Sequence, residues 1–229
     1  MKFTFYGHSS FQVEVLGKKI LFDPFITHNP LAQAQGIKAE DIEADYIFIS
    51  HGHGDHVGDL VAIAKRTGAT CVAAIEITDW LQKQGVEKVH PINHGGPVGF
   101  SFGKVKFVNA IHSSSFPDGS YAGNPMGFVF TTEAGDFYFS GDTALTMDMQ
   151  LIPLWAKKLQ FAILPIGGNF TMDVPDAIHA AGFIKCDKII GVHYNTFGFI
   201  TIDTTQAIKD FTTAGKTLLL PNVGETIEV

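Results

Sequence analysis

His51, His53, Asp55 and His56 stand within six residues, in the run Ser50-His51-Gly52-His53-Gly54-Asp55-His56. Imidazole and carboxylate are the ligands that borderline divalent cations take, so a metal site is the chemistry this cluster suggests. Alternate residues leaving a strand end project to the same side, so His51 and His53 can converge on one cation. Asp55 continues that series while His56 points elsewhere, which lets one short loop serve two metal positions. Gly52 and Gly54 let the backbone turn tightly with no side chain between the ligands. An exposed polar loop is the bland alternative. Three histidines and an aspartate directly after an apolar run argue against it.

A dinuclear site needs more ligands, and the chain offers three at strand-like ends. His112 follows Lys104-Val105-Lys106-Phe107-Val108-Asn109-Ala110-Ile111, Asp142 follows Phe137-Tyr138-Phe139-Ser140-Gly141, and His193 closes Ile189-Ile190-Gly191-Val192. Alone, each reads as an ordinary loop residue. Beside the cluster they read as its completion. Other positions carry two readings each. Asp23 either caps its loop or accepts a hydrogen bond that orients the metal loop. His8 is either a substrate-contacting donor or a hairpin histidine. Ser113, Ser114 and Ser115 either face a pocket or shape a loop. Asn169, Tyr194 and Asn195 are candidates to line the pocket on the same two-sided terms. His28, His90, His94 and His179 lack partners at metal spacing and read as structural or exposed. No Ser-His-Asp or Cys-His set is evident.

The elements that must hold these residues are strands first. Residues 1–25 alternate as antiparallel hairpins, with a turn at Leu16-Gly17-Lys18-Lys19, and Asp23-Pro24 ends the third run because proline cannot continue a ladder. Residues 26–44 read as a polar loop with one helical turn around Lys38-Ala39-Glu40-Asp41. Tyr46-Ile47-Phe48-Ile49 reads as a strand covered on both faces. Strand-like runs recur at 70–75, 105–111, 126–131, 136–140, 161–166, 188–193 and 217–220. Helical patterns fit 57–66, 78–84, 148–158, 174–184 and 204–214. Hairpins followed by alternating strands and helices predict an α/β chain with mixed sheet and outer helices. The halves rhyme: each has a strand ending in an acidic loop (Asp23; Asp142) and a later strand ending in histidine (His51; His193). With no linker, residues 1–229 read as one domain built from two similar halves.

Composition narrows the function. The chain has 229 residues, 45% of them hydrophobic, and a formal net charge of −7, so it can bury a sizeable core and is a poor polyanion binder. No apolar run reaches the roughly 20 residues of a membrane span, and no secretory signal is visible. Cys71 and Cys186 lack metal or disulfide-scaffold spacing and read as reduced, partly buried thiols. The expectation is a soluble cytoplasmic protein acting on a small molecule, with no nucleic-acid partner and with homo-oligomerisation left open.

In order and type, Asp23, the His-x-His-x-Asp-His loop, His112, Asp142 and His193 resemble the metallo-β-lactamase superfamily along the whole chain. Gly7-His8-Ser9-Ser10-Phe11, Asp23-Pro24-Phe25, His112-Ser113-Ser114-Ser115, Pro165-Ile166-Gly167 with Asn169-Phe170-Thr171-Met172, and His193-Tyr194-Asn195-Thr196-Phe197 resemble one branch of it. That branch is the uncharacterised metal-dependent hydrolases related to L-ascorbate-6-phosphate lactonase. The resemblance implies a four-layer αββα sandwich of two mixed sheets flanked by helices. It implies that His51, His53 and His112 hold one metal, that Asp55, His56 and His193 hold the other, and that Asp142 bridges them. Asp142 differs from the cysteine among the second-site ligands of one antibiotic-hydrolysing subclass. His53 differs from the acidic residue of flavodiiron proteins. The chain is too short for the helical domain of glyoxalase II or the inserted domain of nucleic-acid-processing members.

The expected activity is metal-dependent hydrolysis of a small ester, lactone or phosphodiester by a hydroxide shared between two cations, with Asp55 or Asp142 orienting it and moving a proton. Zinc is the first choice of metal, and the nitrogen and oxygen ligands also accept manganese, iron, cobalt or nickel. A nuclease on the same fold and a non-catalytic binder are the alternatives. The first would show a steep salt dependence of binding, and the second no turnover when metal-loaded.

Overall fold

A computed structural model describes residues 1–156 and 158–229, and its contacts divide the chain into two compact units. The first comprises Met1–Asn93, Ser113–Pro125 and Pro221–Val229; the second comprises His94–His112 and Met126–Leu220. Each unit carries one seven-stranded mixed sheet.

In the first unit β1 (Lys2–Gly7), β2 (Ser10–Val15) and β3 (Lys18–Phe22) form an antiparallel meander. The β2–β3 turn sits on Leu16 and Gly17, both at positive φ, as a two-residue hairpin requires. After α1 (Pro30–Ala34), β4 (Tyr46–Phe48) pairs in parallel with β3. The short α2 (Gly54–Val57) and α3 (Leu60–Thr67) lead to β5 (Thr70–Ala74), then α4 (Ile75–Lys83) and β6 (Val89–Ile92), all strands parallel. The C-terminal strand Thr226–Glu228 closes the other edge against β1.

The second unit repeats this order. β7 (Val98–Phe100), β8 (Gly103–Asn109), β9 (Met126–Thr131) and β10 (Asp136–Phe139) are antiparallel. Then β11 (Leu159–Pro165), α5 (Val174–Phe183), β12 (Lys188–Val192), α6 (Thr204–Thr213) and β13 (Thr217–Leu219) extend the sheet in parallel. Asp173 and Asp203 cap α5 and α6 by accepting backbone N–H bonds in their first turns. The fold class is therefore mixed α/β, with two mixed sheets flanked by helices.

Phenylalanine explains much of the sheets' packing. Phe3, Phe11, Phe22 and Phe48 stack across β1 to β4, with centroids 5.1, 4.6 and 5.8 Å apart. Phe102, Phe130, Phe137 and Phe161 do the same from the start of β8 to β11, at 5.9, 4.3 and 5.2 Å. Each such pair contributes about 0.5–1.5 kcal/mol beyond its buried area, and the ladder also fixes strand register.

The matching topology locates the internal rhyme. β3 and β10 are counterparts, and Asp23 and Asp142 follow them. His193, however, follows β12, the counterpart of β5 rather than of β4, so the histidine rhyme is displaced by one strand. Other differences are local. The helix expected at 57–66 forms as α3 from Leu60 to Thr67, and the short α2 precedes it. The pattern at 148–158 forms a 3-10 helix over Met147–Leu154 with Pro153 inside it, and residue 157 lies outside the described residues. β6, β7 and the C-terminal strand, each of three or four residues, are too short to leave a periodic signal. Among the described residues no helix is long and apolar enough to cross a membrane.

Candidate metal centre

In the first unit, Asp23 is the fixed point. It is fully buried at the end of β3, with φ +42, a conformation that surrounding bonds must hold. Its Oδ1 accepts the Ser50 N–H at 2.8 Å, and its Oδ2 accepts the Ser50 hydroxyl at 2.6 Å and His56 Nδ1–H at 2.9 Å. Burial pushes the carboxyl above the ordinary range, and the bonds from His56 and Ser50 pull it back. With its own proton on Asp23, Ser50 Oγ accepts from His51 Nδ1 at 2.9 Å. One carboxylate thus reaches His56 directly and His51 through Ser50, and when ionised it favours the Nδ1–H form of each, with Nε2 left for a cation.

His51 Nε2 lies 2.9 Å from His53 Nδ1. Two imidazole nitrogens bound about 2.0–2.1 Å from one cation are roughly 2.9–3.4 Å apart, so this spacing suits a shared metal. His53 Nε2 meets Ser113 Oγ at 3.3 Å. The loop continues into α2, where Asp55 and His56 occupy the first turn. The expected alternation therefore stops at His53, and the expected divergence of Asp55 and His56 does not occur: Asp55 Oδ2 lies 3.9 Å from His56 Nε2. Asp55 Oδ2 pairs with Nε2 of the buried His8 at 3.0 Å. Asp23, His51 and His56 together, and His8, Asp55 and His56 together, each bring ligand atoms within 4.8 Å.

Gly52 serves a purpose other than the one expected. Gly52 is not at positive φ; a Cβ there would fall 2.2 Å from Ala122 Cβ. Close approach to residues 113–122 is what demands glycine, and Ser114 ties that segment down by accepting the Gly52 N–H at 3.2 Å and donating to Ala122 O at 3.1 Å.

In the second unit, Asp142 is nearly fully buried three residues beyond β10. Its Oδ2 lies 3.0 Å from His193 Nε2 and 4.0 Å from His112 Nε2. Thr143 Oγ accepts the Ile111 N–H at 2.9 Å and Ala144 N–H reaches Ile111 O at 3.0 Å, so the segment bearing His112 is stapled to the loop bearing Asp142. His193 has φ +56, and a Cβ on Gly167 would stand 2.1 Å from its carbonyl oxygen. The donor set is oxygen and imidazole nitrogen throughout, with carboxylates or hydroxyls behind the histidines of the first unit. These residues fit divalent cations.

The model of the β-lactamase superfamily domain matches residues 18–194, a span holding Asp23, the histidine loop, His112, Asp142 and His193. The chain belongs to the metallo-β-lactamase superfamily. Within it, a UPF0173 metal-dependent hydrolase of Flavobacterium johnsoniae is 58% identical over 229 residues, all of both chains, and one of Christiangramia forsetii is 54% identical over the same span. The metallo hydrolase Igni18 of the archaeon Ignicoccus hospitalis superposes with a TM-score of 0.88 at 33% identity, covering 100% of this chain and 98% of that one. An isothiocyanate hydrolase from Delia radicum gut bacteria shares the fold at TM-score 0.80 and 18% identity, covering 100% and 99%.

Against this superfamily frame the secondary candidates separate. Asp23 is hydrogen-bonded to Ser50 and His56, and His8 is buried against Asp55 instead of sitting on the hairpin surface. Asn195 spends its amide oxygen on Ile202 N–H at 2.8 Å, which makes it a loop-shaping residue. Tyr194 is buried, and its phenol is pushed up to about 12 by desolvation. Asn169 is exposed at φ +58. Of the three serines, Ser113 and Ser114 bond to the histidine loop, and Ser115 bridges to Tyr121. His28, His90, His94 and His179 join no group of potential ligands among the described residues.

Two residues escaped sequence reading. Ser50 relays Asp23 to His51, and its place directly before the histidine loop was the available signal. Asp59, three positions after His56, is buried and accepts Ile26 N–H at 2.6 Å and Thr27 N–H at 2.9 Å, so it pins the loop that follows Asp23.

Proposed function

We propose that this metal-dependent hydrolase holds two divalent cations, one through His51, His53 and His112 and the other through Asp55, His56 and His193, with Asp142 shared. The reading is supported above all by one observation: Asp23 lies within hydrogen-bond distance of His56 and, through Ser50, of His51, as outer carboxylates do behind metal ligands. Two cations bound there supply Lewis acidity toward a carbonyl or phosphoryl oxygen and acidify the attacking water. Zinc is the first choice, with manganese, iron, cobalt and nickel accepted by the same ligands.

The chain's own groups divide the remaining work. His8 donates to Asp55 Oδ2 and fixes the plane of that carboxylate. The Asp55 side chain is 29% exposed and that of Asp142 is 2% exposed. Asp55 is thus the carboxylate able to take a proton and pass it to solvent, while the enclosed Asp142 holds position. The substrate in this reading is a small ester, lactone or phosphodiester. A net charge of −7 disfavours a nucleic-acid substrate. Cys71 and Cys186 are both buried and free, which suits a reducing compartment and supports a cytoplasmic site of action in this reading.

The test is to strip the protein with chelator, restore it with zinc, manganese or cobalt in turn, and screen aryl esters, lactones and bis-aryl phosphodiesters. The reading expects turnover of at least one class that is lost on stripping and regained on loading. Fully loaded protein inert to all three would instead favour a non-catalytic binder.

A further inference from the structure

An open cavity of about 160 Å³ lies within the second unit, walled by β8, β10 and the 3-10 helix Met147–Leu154. Lys106 on β8 and Tyr138 on β10 both pair in register with Val129 of the strand between them, so their side chains leave the same sheet face two strands apart. Val108, Met149 and Ile152, all buried, supply apolar wall, and the Trp155 ring supplies more.

Two polar features make this more than a packing gap. Tyr138 is 1% exposed and lines the cavity, so its phenol is the hydroxyl donor that this wall offers. The Lys106 ammonium stands 4.7 Å over the Trp155 ring and donates to the Gly95 carbonyl, which leaves donor capacity on a half-buried cation. Asp148, the carboxylate on the wall, is exposed and already accepts the Asn109 amide at 2.9 Å, so it sits at the solvent side. An O–H donor and an ammonium above an apolar wall call for an acceptor that is negatively charged and attached to an apolar body.

We propose that this cavity is a ligand site, separate from the metal centre, for a small monocarboxylate with an aromatic or branched apolar body. The carboxylate takes the Lys106 ammonium and the Tyr138 hydroxyl, and the body lies on Met149, Ile152 and Trp155. Burial pushes the Tyr138 phenol up, so it remains a donor across the working pH range.

Isothermal titration calorimetry on metal-loaded protein tests this with 3-phenylpropionate, the matching alcohol 3-phenylpropan-1-ol, and acetate as probes. The acid should bind at least about 10-fold more tightly than either comparator, because only it supplies both the charge and the body. Lys106→Met should weaken the acid by about 10-fold or more and Tyr138→Phe by roughly 3- to 10-fold, while His112→Ala leaves it unchanged. Tyr138→Phe removes a single oxygen, and circular dichroism checks that it folds. No binding by wild type, equal binding in Lys106→Met and Tyr138→Phe, or loss of binding in His112→Ala would each overturn the proposal. None of these outcomes bears on the hydrolase reading.

Discussion

Changing Asp23 to Asn should damage two metal ligands through one oxygen. Asn keeps the shape and can still accept the Ser50 N–H through Oδ1, but its amide nitrogen replaces the Oδ2 that receives Ser50 Oγ at 2.6 Å and His56 Nδ1 at 2.9 Å. An N–H₂ group cannot accept. His56 must then carry its proton on Nε2, and Ser50 must turn its own proton toward His51 Nδ1, which puts a proton on His51 Nε2 as well. Restoring either lone pair means facing two donors. Hydrogen bonds to charged groups contribute about 1.5–3 kcal/mol, and outer partners of metal ligands typically change affinity 10–100-fold. With two ligands affected, Asp23→Asn should lower metal affinity by about 100-fold. Ser50→Ala, which severs only the relay to His51, should cost about 10-fold. Competition against a chelating dye measures both, and circular dichroism verifies folding. Wild-type affinity in Asp23→Asn, or a larger loss in Ser50→Ala, would refute the tautomer argument.

Asp142→Asn should retain part of the metal and lose kcat far more than KM, because the defect lies in transition-state stabilisation; full metal content with near-normal kcat would show that Asp142 is not shared. His53→Ala, His112→Ala and His193→Ala should each lower metal content and abolish turnover, whereas His90→Ala and His179→Ala stay near wild type, as elemental analysis and kinetics will show. Gly52→Ala drives a Cβ to 2.2 Å from Ala122 Cβ and should destabilise the fold by about 1–3 kcal/mol in denaturant titration; an unchanged midpoint would mean that the loop yields freely.

The parts of the site legible in the sequence were those that combine residue type with spacing. The histidine loop announced a metal because four ligand-type residues in six positions are hard to explain otherwise. Strands carrying several aromatic or β-branched residues, such as β1, β2, β9 and β11, were readable for the same local reason. What escaped depends on tertiary placement. Ser50 stands directly before the histidine loop, but its relay exists because β3 and β4 pair in parallel and set Asp23 beside it. The glycine requirement at Gly52 comes from Ala122, 70 residues away, so no local turn rule could state it. Tandem 3-10 turns took the place of a helix at 147–154 because Pro153 lacks the N–H that an α-helix would use.

Metal stoichiometry is the sharpest test of a dinuclear hydrolytic centre. Protein stripped of metal, reconstituted with excess zinc and desalted should hold two ions per chain by elemental analysis, and turnover should rise with the second. Saturation at one ion per chain with full activity would contradict it.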